Sequence, residues 1–137
     1  MTRERKSRSS SAAKLGDIRS MLNLGYFYDN GIGVKRNRAS AMLRYKKAYR
    51  KGDGCTANNI GTIYRMENNP RRALRWFEKA AELGDMEANL QIAQVYIRDL
   101  EDTRAALPYL KRVAGAKPRV NVTEASWEEA RLLLKGR

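Results

Sequence analysis

The chain has 137 residues, with 28 Lys and Arg against 15 Asp and Glu, a formal net charge of +13, one Cys and no His. The missing His removes Ser-His-Asp and Cys-His machinery and any His metal ligand. A single Cys supports neither an internal disulfide nor an all-Cys zinc site.

The charge is uneven along the chain. Residues 1–51 carry 14 basic and 3 acidic side chains, residues 52–116 carry 9 of each, and residues 117–137 carry 5 and 3. The excess therefore belongs to the amino-terminal third. An acidic partner, a nucleic acid, a membrane surface or solubility alone would each account for it. Residues 1–14 begin MTRERKSRSSSAA and hold too little apolar surface to pack, which predicts a basic flexible tail. The same residues fit a basic arm for nucleic acid. They lack the apolar core of a secretory signal, and no stretch approaches the roughly 18 apolar residues of a membrane span. The expected location is cytoplasmic.

A repeat domain is expected over 15–137. Its first helix runs over about 17–29 and is followed by Asp29-Asn30-Gly31-Ile32-Gly33-Val34, whose glycines permit positive-φ turns. The next helices fall at about 38–51 and 54–66. Asn68-Asn69-Pro70 then breaks the chain, with Pro70 opening a helix over about 70–82. Helices at about 85–98 and 102–114 follow, the second capped by Asp102. Gly115 and Pro118 stop the pattern. A last helix over about 123–135 holds Ala125, Trp127, Ala130 and Leu133.

The helices repeat in pairs. Gly16-Asp17, Gly52-Asp53 and Gly84-Asp85 lie 36 and 32 residues apart. Eight residues after each Gly come Leu24, Ile60 and Ile92, then the small residues Gly25, Gly61 and Ala93, then Tyr28, Tyr64 and Tyr96. In the second half, Ala41, Ala73 and Ala106 precede Tyr45, Phe77 and Leu110 by four residues. Apolar or small residues at this spacing form one helix face. The small residue lets the partner helix approach closely, and the tyrosines pack between the two helices. Repeats are expected at about 16–51, 52–83 and 84–115, with a capping helix at about 123–135.

The first unit, with Gly16, Asp17, Leu24, Gly25, Tyr28, Asn30, Gly31, Gly33, Val34, Ala41, Tyr45, Lys47, Ala48 and Gly52, resembles the Sel1-like repeat (SLR) family. The second resembles that family and its tetratricopeptide (TPR) relative through Gly61, Tyr64, Ala73, Trp76, Phe77, Lys79 and Ala80. Arg44 stands where the family often has Trp. The resemblance implies an all-α protein, an α/α superhelical solenoid of three SLR/TPR-like helix-turn-helix repeats plus a C-terminal capping helix. Its concave groove would be lined by each unit's first helix. It implies a protein-interaction adaptor with no intrinsic catalysis and no cofactor.

In such a stack, the groove positions are Asn23, Asn59 and Gln91, seven residues after each Gly, and Tyr26, Thr62 and Gln94, ten after. Arg19, Asn58, Arg65 and Arg98 lie nearby. Carboxamides hydrogen-bond an extended peptide backbone, and arginines fork onto a carboxylate. The expected ligand is a protein or peptide, with an acidic one favoured; the same residues also fit a solvated helix face without ligand. A second cluster, Lys35, Arg36, Arg38, Arg44, Lys46, Lys47, Arg50 and Lys51, forms a basic patch on the turn and second helix of the first unit. It reads either as a solvated face or as a phosphate-binding surface for nucleic acid. The chain is expected to be a monomer.

Overall fold

The computed structural model describes the backbone of residues 3–136 and the side chains of residues 16–136. The basic tail expected over 1–14 has its side chains outside the described residues. The elements are α1 (Arg3–Asn30), α2 (Arg38–Arg50), α3 (Thr56–Met66), α4 (Pro70–Glu82), α5 (Met86–Gln94), a π-helical turn Val95–Asp99 that continues α5, α6 (Thr103–Ala114) and α7 (Glu124–Lys135). This is the all-α class of helix-turn-helix repeats closed by a capping helix. Among the described residues the β-type pairing is one isolated bridge between Pro118 and Val122.

The chain divides into two compact units, Met1–Ile60 and Gly61–Arg137. In the first, α2 packs on α1. Ala41, Tyr45 and Ala48 bury one stripe of α2, and the Tyr45 ring lies over Gly25. The turn between the helices uses Gly31 and Gly33 at φ +66° and +71°. Asn37 caps α2 by accepting from the Ser40 N–H at 3.1 Å. Past α2, Gly52 takes φ +113°, and the Asp53 N–H returns to the Ala48 carbonyl at 3.1 Å. That is the glycine-ended helix stop, and it explains the recurring Gly-Asp dipeptide. Gly84 repeats it at φ +101° after α4, with the Asp85 N–H on the Ala80 carbonyl at 3.0 Å. Gly16 behaves differently, because it lies inside α1. No described helix ends just before it, so there is none for it to terminate, and the Ala, Lys, Leu and Arg around it are good helix formers.

In the second unit α4 packs on α5, α5 on α6, and α6 on α7. Ala73, Leu74, Phe77 and Ala80 line the inner face of α4, below the Pro70 start capped by Asn69. Asp102 caps α6 by accepting from the Ala105 N–H at 3.1 Å. Leu90, Ala93, Ala106, Leu110, Val113, Val122 and Ala130 form one buried cluster, with Trp127 and Leu133 packed against it. The π-helical turn was not expected, whereas α6 runs through Pro108 as its expected span requires. Pro108 is on the exposed side, where a lost backbone donor is easily replaced by solvent.

The expected packing role of the tyrosines is met in all three repeats. Arg44 lies 4.8 Å over the Tyr28 ring, Arg72 lies 5.8 Å over Tyr64, and Tyr96 meets Tyr109 at 6.0 Å. In each case the contact comes from the second helix of the same pair.

Tyr45 gives a pH prediction. It is 2% exposed, and its hydroxyl donates to Asp29 Oδ2 at 3.4 Å. Burial, and then the Asp29 carboxylate, push its phenol well above the ordinary value. An unfolded Tyr ionises near about pH 10, where the folded one still holds its proton. Its contribution is therefore full below about pH 10 and falls as pH rises further. The urea midpoint should decline between about pH 10 and 12, and less steeply in Tyr45→Phe. Equal slopes in the two proteins would refute the assignment.

Candidate functional site

The polar positions of the first helices are exposed or half-buried in both units. In the first unit Asn23 and Tyr26 lie exposed on α1, beside exposed Arg19; on α3, Asn59 is exposed and Asn58 half-buried. They stand at positions out of phase with the stripe that faces the partner helix of the hairpin.

In the second unit the corresponding residues have partners farther along the chain, on the π-helical turn and on α7. Arg65 forks onto the Asp99 carboxylate, Nε to Oδ2 at 2.8 Å and Nη2 to Oδ1 at 3.4 Å. Gln94 Nε2 donates to Glu129 Oε2 at 2.9 Å, and Arg98 Nη2 to Glu129 Oε1 at 3.5 Å. Thr62 and Gln91 are half-buried. Here the row of carboxamides and arginines already receives carboxylates, supplied by the π-helical turn and by α7. The sequence could not show those acids as partners, because they lie more than thirty residues away in the chain.

The expected basic patch lies on the first unit and is only partly free of neighbours. Arg44 reaches the Ser40 carbonyl at 3.2 Å as well as the Tyr28 ring. Arg38 Nε is buried 3.9 Å from Asp29 Oδ1. Lys51 pairs with Asp17 at 3.5 Å, and Arg50 Nε donates to the Lys46 carbonyl at 3.3 Å. Lys35, Arg36 and Lys47 are exposed. Tyr45 and Ala48 are buried as expected, so the intervening cations turn outward.

One feature was missed from the sequence. An open cleft of about 520 Å³ in the second unit is lined by Glu78, Glu82, Met86, Asn89, Tyr109 and Arg112, among others. Asn89 is buried on its floor, donating to the Met86 carbonyl at 3.3 Å and accepting from Arg112 Nη1 at 3.4 Å. The available signal was Asn89 itself, a polar residue at the phase where the second repeat has Ala57. Among the described residues, no group of three or more His, Cys, Asp and Glu is placed to hold a metal ion, and no helix is long and apolar enough to cross a membrane.

Residues 18–53 and 57–85 match the family model of the Sel1 repeat. A sel1-like repeat-containing protein of Acanthamoeba polyphaga mimivirus is 28% identical over 86 residues, covering 63% of this chain and 16% of that protein. DAP3-binding cell death enhancer 1 of Rattus norvegicus is 34% identical over 56 residues, 41% of this chain and 11% of its own length. The chain thus spans less than a fifth of either relative. The crystal structure of a Sel1 repeat protein from Oxalobacter formigenes matches with a TM-score of 0.63 at 24% identity, over 84% of this chain and 48% of that one. That likeness is one of fold.

Proposed function

The chain belongs to the Sel1-like repeat family, and from that premise we propose that it is a non-catalytic protein-interaction adaptor whose first helices hold a peptide segment rich in acidic side chains. The observation that carries the reading is the Gln94–Arg98 grip on Glu129. It displays, inside the molecule, the chemistry a carboxylate would meet: a carboxamide donor beside a guanidinium. Asn23, Asn59 and Gln91 recur at one phase of the three repeats, which supports a shared binding role for that position. The rat relative is named for binding a protein, which supports protein as the ligand class. A composition without His supports binding over catalysis. The second reading, a nucleic-acid-associated protein, rests on the exposed Lys35, Arg36 and Lys47 within a segment of net charge +11.

One experiment separates the two. The wild-type chain and an Asn23→Ala/Asn59→Ala/Gln91→Ala variant are used for affinity purification and mass spectrometry, with and without nuclease. Nuclease-resistant protein partners, lost in the variant while its helical circular dichroism is unchanged, are expected. Unchanged capture by the variant would reject the groove residues, and capture abolished by nuclease would favour the nucleic-acid reading.

A further inference from the structure

The repeats of this chain show what a first helix does with its residues four, eight and eleven positions after the unit glycine. In the third repeat these are Ala88, Ile92 and Val95, each 0% exposed, on a helix packed against α4 of the preceding hairpin. In the second they are Thr56, Ile60 and Ile63, also buried. In the first they are Ser20, Leu24 and Phe27 on α1. There Ser20 is exposed, Leu24 is 45% exposed and Phe27 is 40% exposed. The spacing i, i+4, i+7 puts all three on one face, and no described residue buries it. Ile32, also exposed, follows in the turn after α1, its N–H donating to the Phe27 carbonyl at 2.9 Å.

A stripe of this form is one that a helix covers: the third repeat does so with a helix of its own chain, and partner proteins use the same geometry. Charge narrows the occupant. The stripe lies in the segment of net charge +11, next in sequence to exposed Arg19, with exposed Lys35 and Arg36 in the turn that follows α1 and with Asp17, three residues before Ser20, paired to Lys51. A second copy presenting the same face would set like charge against like. We propose that the Ser20–Leu24–Phe27 stripe docks an amphipathic helix of another protein, apolar at i, i+4 and i+7 and acidic on its flanks. The stripe adjoins the groove positions Asn23 and Tyr26 on α1, so the test leaves those two residues unchanged and uses Asn59 and Gln91 as the control for the groove reading.

The test is a selection from a displayed library of helix-forming peptides against the full chain. Enriched peptides should place Leu, Ile or Phe at i, i+4 and i+7 between Asp and Glu. Their affinity should fall about tenfold or more in Leu24→Ser/Phe27→Ser, persist in Asn59→Ala/Gln91→Ala, and weaken with salt. The first variant should keep its helical circular dichroism and a cooperative melt, because both side chains lie outside the buried core. The absence of enrichment, peptides with neutral or basic flanks, or equal binding to wild type and Leu24→Ser/Phe27→Ser would overturn the proposal. So would sedimentation showing a dimer that this variant abolishes, since a second copy would then be the occupant.

Discussion

Replacing Gly61 with Ala should destabilise the second unit, and replacing Phe77 with Leu at the same time should remove most of that cost. A Cβ at Gly61 would stand 2.7 Å from both Cδ1 and Cε1 of Phe77 and 3.1 Å from its Cζ. The ring is 1% exposed and has nowhere to swing. Overpacking of this kind costs about 1–3 kcal/mol, against at most about 1 kcal/mol regained because Ala is the better helix former. The chain itself contains the relaxed version. Where the third repeat has Leu110 in place of an aromatic ring, it has Ala93 in place of Gly, and the two share one buried cluster. Gly25 faces Tyr45 just as tightly, with a Cβ 2.6 Å from Cε1. Urea midpoints for Gly61→Ala, Phe77→Leu and the double variant close the cycle. Gly61→Ala should be neutral or stabilising in the Phe77→Leu background. An equal cost in both backgrounds would mean that the glycine serves something other than the ring.

That pairing also shows why the repeats were legible. A helical hairpin has one close-packed line, and every copy must solve it with the same residue types at the same phase. Small residues at 25, 61 and 93 opposite large ones at 45, 77 and 110 are that solution written three times. Turns were legible for a similar reason, because Gly31, Gly33, Gly52 and Gly84 all take the positive φ that glycine permits. What escaped depends on neighbours distant in sequence. Gly16 looks like Gly52 and Gly84 but lies inside a helix, because a helix stop needs a helix before it. Leu24 looks like Ile60 and Ile92 but stands exposed, because burial depends on what is laid over it. Nothing local marks the acids at 99 and 129 as partners, and only folding brings them to Arg65, Gln94 and Arg98. The π-helical turn at Val95–Asp99 left no mark in an apolar period otherwise shared with its sister helices.

The second large effect is expected at the other end of the chain, where α7 closes the second unit. Trp127 packs on the cluster of Leu90, Ala93, Leu110 and Val113. Its indole Nε1–H donates to the Ala114 carbonyl at 2.9 Å, one of the carbonyls that α6 leaves without an intrahelical partner. Arg131 covers the ring at 4.6 Å. The helix start is fixed separately: the Thr123 hydroxyl accepts from the Ser126 N–H, and the Glu87 carboxylate accepts from the Thr123 N–H and the Ser126 hydroxyl. Trp127→Ala keeps that start but loses the ring, and should cost about 3 kcal/mol, the low end for a Trp because this one is half-buried. Trp127→Phe keeps most of the packing and loses the hydrogen bond, so about 1 kcal/mol is expected. Glu129→Gln removes a partly exposed ion pair from the same helix and should cost well under 1 kcal/mol. The three variants separate the two roles of α7, covering the core and supplying a carboxylate to Gln94 and Arg98. Thermal melts that rank them in that order would establish α7 as part of the folded unit. An unchanged melt for Trp127→Ala would show instead that the core below is stable without the indole ring over it.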